Sequence, residues 1–265
     1  MKKFITLLLI AASLFVSCDN TDTDNVSSLL EKPTVALNGP SSVFVPLNGT
    51  YNELGMTSTD KTGKSLEVLP YYSGKYRVAQ SINTALAGEY LVTYWTQKQP
   101  SLTRKVFVYK NGDLTTSIEG IYIAAVTRTA IATTPPFAPI PGLTPKPYTN
   151  LKYVHVWKNA NGTYQISDAY GGFFEIGGSK GVAQSLVNGQ FTGAAGVFTP
   201  AKTKLSNSTL GGSAYINNDP DLLTTTSAPL TIDAVNKTIK FTTTWKENAA
   251  TKWKFDVTLT QYQPQ

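Results

Sequence analysis

The chain has one cysteine and one histidine in 265 residues. A lone thiol can form neither an intramolecular disulfide nor a cysteine metal cluster. A lone imidazole, His155, leaves no multi-histidine metal site and no second imidazole for a proton relay. Charged residues make up only 15% of the chain, with no dense Lys/Arg block and no basic helix. That excludes the electrostatic footprint of a nucleic-acid binder. There is no P-loop and no His-Glu-x-x-His. No cofactor, no metal and no catalytic residue is therefore expected. The longest apolar run near the start, Phe4 to Val16, is too short to cross a bilayer core, which needs about 20 residues.

That run is nevertheless informative. Lys2 and Lys3 precede it, Ser17 and Cys18 follow it, and then comes the acidic, polar stretch Asp19 to Asn25. Its length and basic flank fit the hydrophobic region of a secretory signal. The order resembles a bacterial lipoprotein signal, although Leu14 stands one place earlier than the usual leucine. The resemblance implies a signal peptide at 1–17, a diacylglycerol on the Cys18 thiol and a lipid anchor in a membrane. Loss of residues 1–17 removes Lys2 and Lys3 and lowers the formal charge from +6 to +4. Residues 18–32 read as a flexible acidic tether, with little to bury. The acidic cluster behind Cys18 is similar to the surface-export signal of Bacteroidetes lipoproteins. It implies an outer-membrane protein facing the cell exterior.

Beyond Lys32 the pattern is all-β. Asn-Gly pairs at 38–39, 48–49, 111–112, 161–162 and 188–189 supply residues that tolerate positive φ in tight turns. Strands are expected at Thr34–Leu37, Ser42–Val45, Lys75–Val78, Gly88–Gln97 and Arg104–Tyr109, forming a first domain over 33–109. Gly49-x-Tyr51-x-x-x-Gly55-x-x-x-x-Asp60-x-x-Gly63, followed by Gly88-x-Tyr90-x-x-x-Tyr94, resembles a bacterial immunoglobulin-like domain. The resemblance implies an Ig-like β-sandwich serving as a spacer. Residues 110–118 read as a linker.

The second domain, 119–265, reads as an antiparallel β domain, barrel-like or sandwich. Gly120–Arg128 and Tyr153–Trp157 are strands, and the latter forms a hairpin with Tyr164–Asp168. Gly171–Gly177 is expected as a short strand. Residues 132–147 hold six prolines and must be a loop. Ile239, Phe241, Thr243 and Trp245 alternate with polar residues, as do Trp253, Phe255, Val257 and Leu259, so both are half-buried strands. Their apolar sets share a face only if the connecting loop has an odd number of residues. The loop 248–250 satisfies this and sets Trp245 opposite Trp253. Gly120-x-Tyr122…Arg128, Asn161-Gly-x-Tyr-x-Ile-Ser-Asp168…Gly171-Gly172 and this hairpin together resemble the C-terminal domain of Bacteroidetes lipoproteins found beside SusC/SusD-type glycan importers. That implies a polysaccharide or an importer of that kind as partner.

Candidate chemistry is sparse. A glycosidase needs two carboxylates at fixed separation, and Asp168 with Glu175 is the best pair. Asp168 also suits a turn, and Asp219-Pro-Asp221 reads as a turn before it reads as a calcium site. Sugar surfaces use planar aromatics, and Trp157 and Tyr170 are the choices for exposure because polar turn residues flank them. The ligand-binding candidates are thus Trp157, Tyr170, Asp168 and Glu175. The leading expectation is a non-catalytic surface lipoprotein that binds glycan or a partner in polysaccharide uptake. The alternatives are a carbohydrate-active hydrolase using Asp168 and Glu175, and a purely structural or assembly lipoprotein. If Cys18 carries the anchor, Cys18→Ala releases the protein from membranes on fractionation. Continued retention would refute lipidation there.

Overall fold

A computed structural model of the chain describes residues 33–96, 99–134, 136–201, 204–219, 221, 228–249 and 251–264. The leader, Cys18 and the tether lie outside the described residues. The fold is nearly all-β, with 47% strand and 4% helix. Two compact units divide it. One takes residues up to Gly39, Leu54–Pro70 and Tyr94–Leu102; the other takes Pro40–Glu53, Tyr71–Thr93 and Thr103–Gln265.

In the first unit, β1 (Thr34–Leu37) pairs antiparallel with β3 (Met56–Thr59). Met56 and Ser58 point inward from β3, as the two-residue period requires. The Asp60-x-x-Gly63 spacing has a local cause. The Asp60 carboxylate accepts the amides of Thr62 and Lys64 at 2.8 and 2.9 Å. Gly63, at φ +82°, donates to the Asp60 carbonyl. A four-stranded sheet, most of whose residues fall in the second unit, has the order β2 (Ser42–Pro46), β6 (Gln99–Tyr109), β5 (Gly88–Thr96), β4 (Leu69–Gly74), with β2 parallel to β6. Its fourth strand ends where one was expected to begin. At Gly74 a Cβ would lie 2.0 Å from the Arg77 carbonyl oxygen, so the chain bends at Lys75–Arg77 instead of extending.

The second unit is built on a nine-stranded antiparallel sheet. It contains β7 (Gly120–Ile131), β8 (Lys146–Lys158), β9 (Tyr164–Ile166), β10 (Gln190–Ala194), β11 (Val197–Pro200), β12 (Ser213–Ile216), β13 (Thr231–Asp233), β14 (Thr238–Lys246) and β15 (Lys252–Gln261). The order is β11-β10-β9-β8-β7-β15-β14-β12, with β13 also on β14. Trp245 stands opposite Trp253, as the odd loop predicts. The two ends of the sheet nearly meet. Leu205, just past β11, exchanges backbone hydrogen bonds with Ala214 of β12 at 2.8 and 2.9 Å, and Leu230 donates to Phe198 of β11 at 2.7 Å. The result is a nearly closed, barrel-like sheet. Residues 110–118 are fastened to this unit. Leu114 and Ile118 are fully buried in its core, and Asp113 accepts the amides of Thr115, Thr116 and Ser117.

The expected strand at Gly171–Gly177 is instead a turn leading into a π-helix, Phe173–Gly177. Gly171 and Gly172 have φ of +65° and +80°, which L side chains rarely adopt. A Cβ on Gly171 would meet Val126 at 2.6 Å and Val257 at 2.7 Å, because the chain passes directly over β7 and β15. The helix delivers Phe173 and Phe174 onto Phe255, with ring centroids 5.3 and 5.8 Å away. Gly171→Ala should therefore cost about 2–4 kcal/mol, from left-handed strain plus overpacking. Gly162→Ala, at a similar φ but facing open space, should cost about 1 kcal/mol. Urea unfolding of the two variants checks this, and equal losses would refute the packing argument.

Candidate functional site

Two places concentrate polar chemistry in the larger unit, one interior and one open. The interior one gathers the four residues singled out from sequence. Asp168 follows β9 and is 1% exposed, Glu175 lies in the π-helix, and Tyr170 and Trp157 are buried, against the expectation that those two rings would face solvent. Tyr170 packs on Phe255 at 4.8 Å and Phe174 at 5.5 Å. The Trp157 ring is covered by the Arg77 guanidinium at 4.5 Å.

The carboxylates are brought into electrostatic range of each other, but both are occupied. Asp168 accepts the backbone amides of Tyr170, Leu186 and Gly172 at 2.9, 2.9 and 3.0 Å. Glu175 accepts Lys75 Nζ at 2.7 Å, the Tyr76 hydroxyl at 2.9 Å, and the Ser185 hydroxyl. Lys75 also reaches Glu89 at 2.8 Å. Burial pulls the Lys75 ammonium down, but the charges of Glu89 and Glu175 outweigh it and its pKa is raised. Burial raises Glu89. It also lifts Asp168 to about 7, against the three amides and with help from the Glu175 charge. His155 stacks on Phe107 at 5.6 Å; burial, then the Lys75 charge, depresses it to about 3. A small cavity of about 10 Å³ lies beside Tyr76, Glu89 and Trp157. The network neutralises charge in the interior.

The open site is a cleft of about 410 Å³ at the turn end of the β14–β15 hairpin. Its floor is aromatic: Trp245, Phe174 and the half-buried Trp253. The Trp245 indole is fixed by a 3.0 Å bond to the Gly211 carbonyl, and that of Trp253 by a 3.1 Å bond to Glu247. Arg128 of β7 places its guanidinium 4.2 Å from the Trp253 ring and 5.0 Å from Phe173. Its buried Nε has no hydrogen-bond partner among the described residues, and burial lowers its pKa. Lys180 and Gln184 complete the wall. Trp245 is 4% exposed and belongs to the core, so the half-buried Trp253 is the ring that a sugar could meet, with Arg128, Lys180 and Gln184 as donors for its hydroxyls. Sequence reasoning missed this site. Its pairing of the two tryptophans holds, with Trp245 in the core and Trp253 packed against it, but no local pattern linked them to Arg128.

Other motifs resolve locally. Asp219 and Asp221 pair with lysines: Lys252 contacts Asp219, and Asp221 lies 3.3 Å from Lys246 and 3.4 Å from Lys252. Among the described residues no three metal-ligating side chains converge. No Gly-x-Ser-x-Gly nucleophile elbow is expected from the sequence, yet Gly177-Gly-Ser179-Lys-Gly181 has that spacing. Ser179, at φ +52°, follows a π-helix and precedes only a single 3₁₀ turn, Val182–Gln184. The strand–turn–helix frame of a nucleophile elbow is not formed there.

Residues 111–261, more than half of the chain, match the model of a family described as a "-like, C-terminal domain". Among solved structures, the lipoprotein BT2262 from Bacteroides thetaiotaomicron has a similar fold. The TM-score is 0.56 at 18% identity, over 87% of this chain and 100% of that one. No curated protein matches the sequence.

The interior network carries a pH signature. His155, depressed from 6.5 to about 3, contributes stability that is full above pH 6.5 and lost as pH falls toward 3. Asp168, raised from 3.8 to about 7, contributes stability present below pH 3.8 and lost as pH rises through 7. Between pH 4 and 6.5 the two oppose each other. His155→Phe keeps the stack on Phe107 and leaves the Asp168 contribution alone. Its melting temperature should rise on acidification from pH 7 to 4, while that of the wild type changes less. Parallel melting curves for the two proteins would contradict the assignment.

Proposed function

The chain belongs to the family matched over residues 111–261, and on that footing we propose that it is a lipid-anchored, non-catalytic surface protein whose C-terminal domain binds glycan. The observation that carries the reading is the cleft of Arg128, Trp245 and Trp253, a fixed aromatic floor edged by polar side chains. The lipid anchor at Cys18 and an outer-membrane, outward-facing location follow from the leader and acidic tether. A fold shared with a Bacteroides lipoprotein supports them. A polysaccharide, in the setting of a SusC/SusD-type importer, is the partner this reading implies. Asp168, Glu175, Trp157 and Tyr170 serve in it as framework, since both carboxylates and the Trp157 indole nitrogen are hydrogen-bonded internally and both rings are buried.

We read the strands between 33 and 109 as an Ig-like spacer. Supporting this, Tyr90 donates its hydroxyl to the carbonyls of Asn83 and Leu86 at 3.0 and 2.9 Å, the backbone-anchored tyrosine that such sandwiches use at a corner. The glycan reading is tested with the full chain in detergent, run by affinity electrophoresis through gels containing dissolved polysaccharides. Trp253→Ala should weaken retardation by at least about tenfold, or about 1.4 kcal/mol, with the melting temperature measured alongside. A protein retarded by no polysaccharide would overturn the reading.

A further inference from the structure

We propose that the cleft selects acidic saccharides, with the Arg128 guanidinium as the group that receives their carboxylate or sulfate. This rests on the glycan reading and narrows it. The first observation is charge without partners. Half-buried Arg128 and exposed Lys146 and Lys180 make no ion pair within 4.0 Å among the described residues, and Lys146 lies over the Tyr148 ring at 5.1 Å. Arg128 and Lys146 stand directly opposite each other across the β7–β8 ladder, a like-charge pairing that destabilises a sheet when nothing lies between. The acid whose charge reaches Arg128 is Glu247, and its Oε2 already accepts the Trp253 indole. Two cations and one committed carboxylate, Arg128, Lys180 and Glu247, thus line the cleft itself.

The second observation is how Arg128 is held. Two aromatic rings lie against its guanidinium, so the group is preorganised before any ligand arrives. Its Nε is buried, which further restricts the guanidinium's orientation. Guanidinium geometry matches the paired oxygens of a carboxylate or sulfate, and a bidentate pair of this kind is stronger than an ordinary hydrogen bond. The neighbouring indole supplies the stacking face for the ring that bears the anion. A saccharide satisfies both halves of the site at once, whereas a free anion would leave the aromatic floor unused.

The test runs the full chain through gels of alginate, dextran sulfate and plain dextran. Retardation by alginate, by dextran sulfate or by both, and not by dextran, is the expected result. The first polymer carries carboxylates alone and the second sulfates alone, so the pattern also says which anion is read. Arg128→Lys keeps the charge and removes the fork, and should weaken that retardation about tenfold. Lys180→Gln, at an exposed position, should weaken it less, and Lys254→Gln, outside the cleft, should leave it unchanged. If Lys254→Gln weakens binding as much as Arg128→Lys, the attraction is diffuse and the proposal fails. Retardation by dextran alone overturns the acidic class and leaves the glycan reading standing. No retardation in any gel overturns both.

Discussion

The carboxylate of Asp168 organises the larger unit. By accepting the amides of Tyr170, Gly172 and Leu186, it closes a turn that two left-handed glycines make possible and fastens that turn to a segment eighteen positions later. The Thr243 hydroxyl donates to the Ala169 carbonyl at 2.5 Å and ties the same turn to β14. Everything downstream depends on the direction this gives the chain. The π-helix that follows sends Phe173 beneath Arg128, Phe174 into the floor of the cleft, and Glu175 to Lys75 and Tyr76. One buried acid thereby sets both the interior charge network and the geometry of the open site. The cost of burying it is offset by three backbone donors and by a pKa raised into the neutral range.

The interior network and the cleft hold their polar groups differently. Inside, each carboxylate is met by donors from the protein: Glu175 by an ammonium and two hydroxyls, Asp168 by amides. At the cleft, the Arg128 guanidinium is held between aromatic rings instead of by a carboxylate. Trp245 and Trp253 are pinned by their own hydrogen bonds and are therefore ordered before any ligand is present.

Much of the fold was legible in the residues. Strict alternation in 238–246 and 252–261, with an odd loop, put Trp245 opposite Trp253 because the period of a strand leaves no other register with both faces sorted. The proline run at 132–147 stayed out of the sheet until Lys146 and Pro147 entered β8. What failed did so for physical reasons of distance. Gly171-Gly172 looks like the edge of a strand unless Val126 and Val257 are known to pass beneath it. Trp157 and Tyr170 sit beside polar neighbours in sequence, yet Arg77 covers one and Phe255 the other, from segments about eighty residues away. The cleft escaped notice for the same reason, since it joins β7, the π-helix and the last hairpin, and no local pattern connects Arg128 to Trp253.

The position of β15 has a consequence for how such a protein is made. It follows the other described strands in sequence, and it lies in the middle of the nine-stranded sheet, between β7 and β14. Its partner β7 is complete more than a hundred residues earlier. A chain that emerges amino-terminus first therefore carries β7 with one row of amides and carbonyls unpaired until residues 252–261 arrive, and pairing over such separations is slow. Exposed edges of that kind invite association with other chains. Closure of the sheet thus waits for residues 252–261, and a polypeptide stalled short of Lys252 would stay open and adhesive.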